Sequence, residues 1–146
     1  MAVTILIVDD NAQLRAFMRE IVAQESDLHV VGEAADGTKA IRLTQELRPD
    51  IVLLDLVMPQ VNGLEVLRWI KAERPEISVI IVTVHDEEAY HQAAEASGAN
   101  AFLRKKTLGT VLLPTIHGLR GSLAPPQAPQ DGTQPGHRRW PCRETS

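Results

Sequence analysis

Residues 50–63 read "DIVLLDLVMPQVNG". Four large apolar residues, Ile51 to Leu54, run straight into Asp55, and the segment closes on Gly63. A short aliphatic run of this kind, bounded by turn-forming residues, reads as a strand covered on both faces. A carboxylate at the mouth of such a strand is costly against an apolar wall unless something offsets its charge. The rest of the chain has to supply that offset.

Working outward, similar apolar runs recur every 20–28 residues: "VTILIV" (3–8), "LHVVGEA" (28–34), "VIIV" (79–82) and "AFL" (101–103). Helical periods separate them. In the first, Leu14, Phe17, Met18, Ile21 and Val22 fall at i, i+3, i+4, i+7 and i+8 and predict one apolar face. Pro49 and Pro75 each follow a helical segment, Asp36 is placed to cap the second helix, and Gly98 is placed to end the fourth. Strands alternating with helices imply parallel pairing through right-handed crossovers. The runs at 3–8, 51–54 and 79–82 are apolar throughout and suit the sheet centre. The interrupted run at 28–34 and the short one at 101–103 suit its edges. The predicted architecture is α/β, a flavodoxin-like doubly wound (βα)5 domain with a five-stranded parallel sheet of order 2-1-3-4-5. Its sites should lie beyond the carboxyl ends of the strands, near the switch point between strands 1 and 3.

That topology gathers a chemically specific set. Strand 1 delivers Asp9 and Asp10, strand 3 Asp55, strand 4 Thr83, and strand 5 Lys105 or Lys106. With strands 1 and 3 adjacent at ~4.8 Å, three carboxylates crowd into one pocket. Like charges that close raise one another's pKa or require a cation. An all-oxygen cluster without histidine or thiolate favours a hard ion, and Mg2+ fits best because it shares its shell with water and phosphate. A lysine and a threonine hydroxyl complete a site for a phosphoryl group, with Asp55 as the candidate nucleophile. Taken singly, Asp10 could instead cap the first helix and Asp55 could be a turn residue. Thr83 and an edge-strand aromatic are ordinary occurrences.

Composition sets bounds. At 146 residues and a net charge of −4 the chain suits one domain with a tail and argues against a general binder of nucleic acid or anionic membrane. No apolar run reaches ~18 residues, and the start "MAVTILIVDD" does not read as a secretory leader. The lone Cys142 can form neither an internal disulfide nor a zinc cluster, and the five histidines show no metal-ligand spacing. A soluble, cytoplasmic protein is expected. Residues 1–121 carry the domain pattern. Residues 122–146 hold five of the nine prolines and few apolar residues, so a disordered Pro-rich tail with no output domain is expected.

Four stretches in order, "ILIVDDN", "DIVLLDLVMPQVNGLEVL", "VIIVT" and "GANAFLRK", resemble the receiver (phosphoacceptor) domain of bacterial two-component response regulators. They are nearest to receivers that precede a LuxR-type helix-turn-helix domain. The resemblance implies that Asp55 accepts phosphate from a sensor kinase's phosphohistidine. It also implies that Asp10, Asp55 and the Val57 carbonyl bind Mg2+ directly, while Asp9 acts mainly through water. Thr83 and Phe102 would form a switch pair, and Lys105, three residues past the aromatic, would bind the phosphoryl group. Expected partners are a sensor histidine kinase or phosphotransfer protein and a downstream protein that reads the phosphorylated state. A phosphorylation-dependent homodimer is a further expectation, with no direct contact to nucleic acid or membrane.

The chain departs from the family pattern at Lys106, where many receivers have proline, and at Pro114, inside the apolar period of the last helix, which removes a helix hydrogen bond. Two rival readings stand beside the phosphorelay one. The chain could be the receiver fragment of a LuxR-type DNA-binding regulator. It could also be a Mg2+-dependent aspartyl-phosphate phosphatase, although Val57 sits where such enzymes carry an acidic general acid.

Overall fold

The computed structural model describes residues 2–58, 62–84 and 87–123. Five strands alternate with five helices: β1 (Val3–Val8), α1 (Ala12–Val22), β2 (Leu28–Ala34), α2 (Gly37–Leu47), β3 (Ile51–Leu54), α3 (Gly63–Glu73), β4 (Ser78–Thr83), α4 (Glu88–Ala96), β5 (Ala101–Arg104) and α5 (Leu108–Leu123). A single 3-10 turn, Lys105–Thr107, joins β5 to α5. The sheet is parallel throughout, in the order β2-β1-β3-β4-β5. Helices α1 and α5 touch each other, as do α2 with α3 and α3 with α4.

The centre and edges fall where composition places them. Every residue of β3 and β4 is buried, whereas β2 alternates between buried and exposed positions. Its pairing with β1 slips between Ile5 and Leu6, leaving Val31 without a β1 partner and exposed. A bulge of this kind bends and twists an edge strand, which discourages further pairing along it.

Local chemistry sets the helix ends. The Asn11 side chain accepts from the N–H groups of Gln13 and Leu14, so Asn11, not Asp10, caps α1. Asp36 caps α2 by accepting from Lys39 N–H, as expected. Gly98, at φ 101°, follows α4 in the left-handed region where glycine carries no Cβ penalty. The α1 stripe needs one correction: Met18, Ile21 and Val22 are buried, but Phe17 is exposed and lies over Gly109 at the start of α5. Helix α5 runs through Pro114 and keeps Leu112, Ile116 and Leu119 buried on one face. It is described as far as Leu123, two residues past the domain boundary expected at 121. The remainder of the expected disordered tail, 124–146, lies outside the described residues, as do Pro59 and His85.

Register then positions the site. The Asp50 carboxylate accepts from Thr4 N–H at 2.9 Å and from the Thr4 hydroxyl at 3.2 Å, tying the start of β3 to β1. Ile5 pairs with Ile51 and Val8 with Leu54, so the two central strands end level. Asp55 N–H donates to Val8 O at 3.0 Å, extending the ladder one step. Asp9 and Asp55 therefore leave adjacent strands side by side.

Candidate functional site

One carboxylate oxygen from each of Asp9, Asp10 and Asp55 lies within 4.8 Å of the others. Asp9 and Asp55 are buried, at 0% and 4% exposure, while Asp10 is exposed at the rim. The cluster thus has a closed floor and one side open to solvent. Asp9 Oδ1 accepts from Asn11 N–H at 2.8 Å. Its Oδ2 accepts no hydrogen bond of good geometry among the described residues and lies 2.9 Å from Lys105 Nζ. Asp55 Oδ1 accepts from Val57 N–H at 3.3 Å, and its Oδ2 lies 3.4 Å from the same ammonium. Of Lys105 and Lys106, both left open by the strand pattern, Lys105 brings its ammonium to the carboxylates, and Lys106 is exposed.

Burial pushes the Asp55 carboxyl up to about 6, with the Asp9 charge adding to it. Lys105 and the Val57 N–H oppose that rise without cancelling it. Lys105 shows the converse balance. Burial works against its charge, but the Asp9 and Asp55 carboxylates outweigh it and hold the ammonium above the usual lysine value. One lysine facing two buried carboxylates and a third at the rim leaves the pocket short of positive charge.

The remaining expected residues sit on neighbouring elements. Thr83 ends β4, fully buried, and Phe102 is 8% exposed on β5, paired with Ile81. Val57 is exposed two residues past Asp55. Gly63 opens α3 directly against the Asp55 exit: a Cβ there would stand 2.3 Å from Asp55 O and 2.5 Å from Leu56 Cα.

Five residues that sequence reasoning passed over belong to the surroundings. Asn11 both caps α1 and donates its N–H to Asp9. Arg15 Nη1 donates to Asp9 O at 2.6 Å while its Nε donates to Glu33 Oε1 at 2.9 Å. Arg19 also donates to Glu33. Burial acts to raise the Glu33 pKa, but the two guanidiniums prevail and hold it below the carboxylate norm. His91 of α4 is buried, with its ring centroid 4.8 Å from that of Phe102 at 64°, an edge-to-face pair. Asparagine after two aspartates was a readable cap signal. Nothing in the local sequence links Arg15 to Glu33 or His91 to Phe102, which meet only through the fold.

Among the described residues no helix is long and apolar enough to cross a membrane. The family model for the response regulator receiver domain matches residues 5–117. The transcriptional regulatory protein DegU of Brevibacillus brevis is 32% identical over 114 residues, covering 78% of this chain and 48% of that protein. The response regulator protein VraR of Staphylococcus epidermidis is 37% identical over 109 residues, covering 73% and 51%. The chain therefore spans about half the length of these relatives. The crystal structure of a LuxR-family two-component response regulator from Aurantimonas sp. SI85-9A1 superposes with a TM-score of 0.79 at 30% identity, covering 84% of this chain and 87% of that one. With the family match reaching from the first central strand into α5, and the acidic cluster lying within it, the chain belongs to the response regulator receiver domain family.

Proposed function

We propose that this receiver accepts a phosphoryl group on Asp55 from a phosphohistidine of a sensor kinase or phosphotransfer protein, and that the added charge switches its binding to a downstream protein. The observation that supports this reading is the juxtaposition of a nearly buried, Lys105-paired Asp55 with Asp9 and Asp10. An Asp55 oxygen attacks phosphorus, the P–N bond breaks, and the imidazole leaves with the electron pair. Lys105 meets a phosphoryl oxygen as a point charge, and the Thr83 hydroxyl donates to another.

The donor set suits Mg2+. It is all oxygen, the buried Asp9 Oδ2 has the Lys105 ammonium as its one partner among the described residues, and Asp10 opens to water. Asp10, Asp55 and the Val57 carbonyl would hold the ion, with Asp9 acting mainly through water. Bound there, Mg2+ supplies neutralisation of the phosphoryl oxygens. Thr83 and Phe102 are the proposed switch pair, Thr83 moving toward the phosphoryl group and Phe102 following. Slow attack of water on the acyl phosphate returns the domain to its starting state. Val57 offers no proton to hasten that step, which separates this reading from a dedicated phosphatase. The proposed setting is the cytoplasm.

A second reading has its own support: DegU and VraR are named as regulators, and this chain matches about half of each. In that reading the receiver governs a DNA-binding segment, and phosphorylation-dependent dimerisation is the natural link. Intact mass after incubation with Mg2+ and a small acyl-phosphate donor tests the core of both. A Mg2+-dependent gain of about 80 Da, absent from Asp55→Asn, is expected of an aspartyl phosphate. No adduct on the wild type overturns the reading.

A further inference from the structure

We propose that Arg15 is a positioning residue for the Asp10 carboxylate: moored to Glu33 on edge strand β2, it fixes the peptide plane between Asp9 and Asp10 and so sets the affinity of the acidic pocket for a divalent cation. This rests on the reading of Asp10 as a cation ligand.

Asp10 is the member of the acidic cluster whose side chain, among the described residues, has no partner. It is exposed, and among the described residues no hydrogen bond or ion pair orients it. Its backbone must do so. The Asp9 carbonyl and the Asp10 N–H belong to one planar peptide group, so holding that oxygen fixes the direction in which Asp10 sets out. The group holding it is Arg15 Nη1, at 2.6 Å.

Arg15 can hold this orientation because its other end is fixed. Nε donates to Glu33 Oε1 at 2.9 Å, and Arg19 occupies the second Glu33 oxygen. Glu33 lies in β2 opposite Ile7 of β1, next to the Ala34–Val8 pair, and Ala34 O accepts from Asp9 N–H at 3.0 Å. The planar guanidinium carries its donors in a fixed fork, so seating one on Glu33 directs the other. A half-buried ion pair near the surface contributes only modestly by itself. The bond to Asp9 O makes this one consequential, because it ties the edge of the sheet to the rim of the pocket.

The test is calorimetric titration of Mg2+ into metal-free full-length protein, with thermal unfolding in the absence of the ion measured alongside. Arg15→Lys keeps the charge but replaces the fork with a single ammonium, so a change in affinity reports geometry. We expect Arg15→Lys to raise the Kd for Mg2+ about tenfold, the low end for partners one shell out from a metal. Glu33→Gln, which leaves Arg15 in place but unmoored, should weaken binding in the same direction and carries the test where Arg15→Lys does not fold. In the double variant the two effects should be less than multiplicative. A lowered unfolding midpoint with wild-type Kd in both variants means a merely structural clamp and overturns the proposal. Asp10→Asn separates the two levels. If it weakens Mg2+ while Arg15→Lys and Glu33→Gln do not, only the positioning role falls. If Asp10→Asn binds like the wild type, the cation reading falls and takes the proposal with it.

Discussion

Lys105 and Asp9 form an ion pair of 2.9 Å in which the carboxylate is fully buried. The same ammonium stands 0.5 Å farther from Asp55, at 3.4 Å, so without a divalent ion the lysine chiefly serves Asp9 and not Asp55, the proposed nucleophile. It acts as the resident counter-ion of the pocket. Lys105→Met should therefore have two opposite effects. Removing one partner of a buried pair should destabilise the metal-free domain by about 2 kcal/mol, less than for a fully enclosed pair because the rim is open. The pocket, left with three uncompensated carboxylates, should bind Mg2+ more tightly. Chemical denaturation without the ion and calorimetry with it measure the two effects; weaker Mg2+ binding in the variant would refute the counter-ion role.

Asp55 carries a pH dependence whose sign follows from its environment. Its folded-state pKa of about 6 lies above the ordinary 3.8. Stability linked to this group is thus fully present below about pH 4 and is lost as pH rises through 6. Asp55→Asn removes the ionisation, so in metal-free buffer at pH 7.5 the variant should be more stable than the wild type by about 2 kcal/mol. The advantage should shrink between pH 6 and 4. Added Mg2+ should reverse the order by stabilising the wild type more. Denaturation midpoints across pH 4–8 measure this, and a pH-independent difference would contradict it.

Gly63 controls the backbone on which Asp55 stands. A methyl group there would meet Asp55 O at 2.3 Å and Leu56 O at 2.7 Å, both main-chain atoms that cannot rotate aside. Gly63 N–H also donates to Leu56 O at 2.8 Å, closing the loop onto α3. Gly63→Ala should cost about 3 kcal/mol, at the upper end for overpacking a tight site. Any folded fraction should take up phosphate more slowly than wild type. A stable variant with wild-type labelling would show that the loop can open without disturbing Asp55.

These positions differ in how far the sequence revealed them. Ile51–Leu54 and the other apolar runs announced the strands because side-chain burial on both faces leaves a one-dimensional trace. Asp9, Asp10 and Asp55 followed because strand ends are fixed by those runs. Register was less accessible. The Thr4–Asp50 bonds that make strands β1 and β3 end level join residues 46 positions apart. Phe17 fitted the apolar period of α1 yet is exposed, since periodicity gives a face but not how far the neighbouring helix covers it. Arg15 and Glu33 sit 18 positions apart on elements of different period, and no local pattern marks two charged residues as partners.

Helix α4 gives the last prediction. It buries only His91 and Ala94, and Glu87 at its N-cap makes no capping hydrogen bond, in contrast to Asn11 and Asp36 on α1 and α2. Few buried contacts and an N-cap side chain that makes no capping hydrogen bond place an element at the low-stability end of a fold. The His91 ring of this helix packs edge-to-face on Phe102 of the sheet, so motion of either should be felt by the other. Glu87→Asn should supply a side-chain cap and stabilise the domain by about 0.5–1 kcal/mol, with slower amide exchange confined to α4. His91→Ala should speed exchange there and release Phe102. If Phe102 moves with the state of Asp55, phosphorylation of the wild type should also change exchange in α4, and the Glu87→Asn variant should respond less. Equal α4 protection with and without the phosphoryl group would place the responding element elsewhere in the domain.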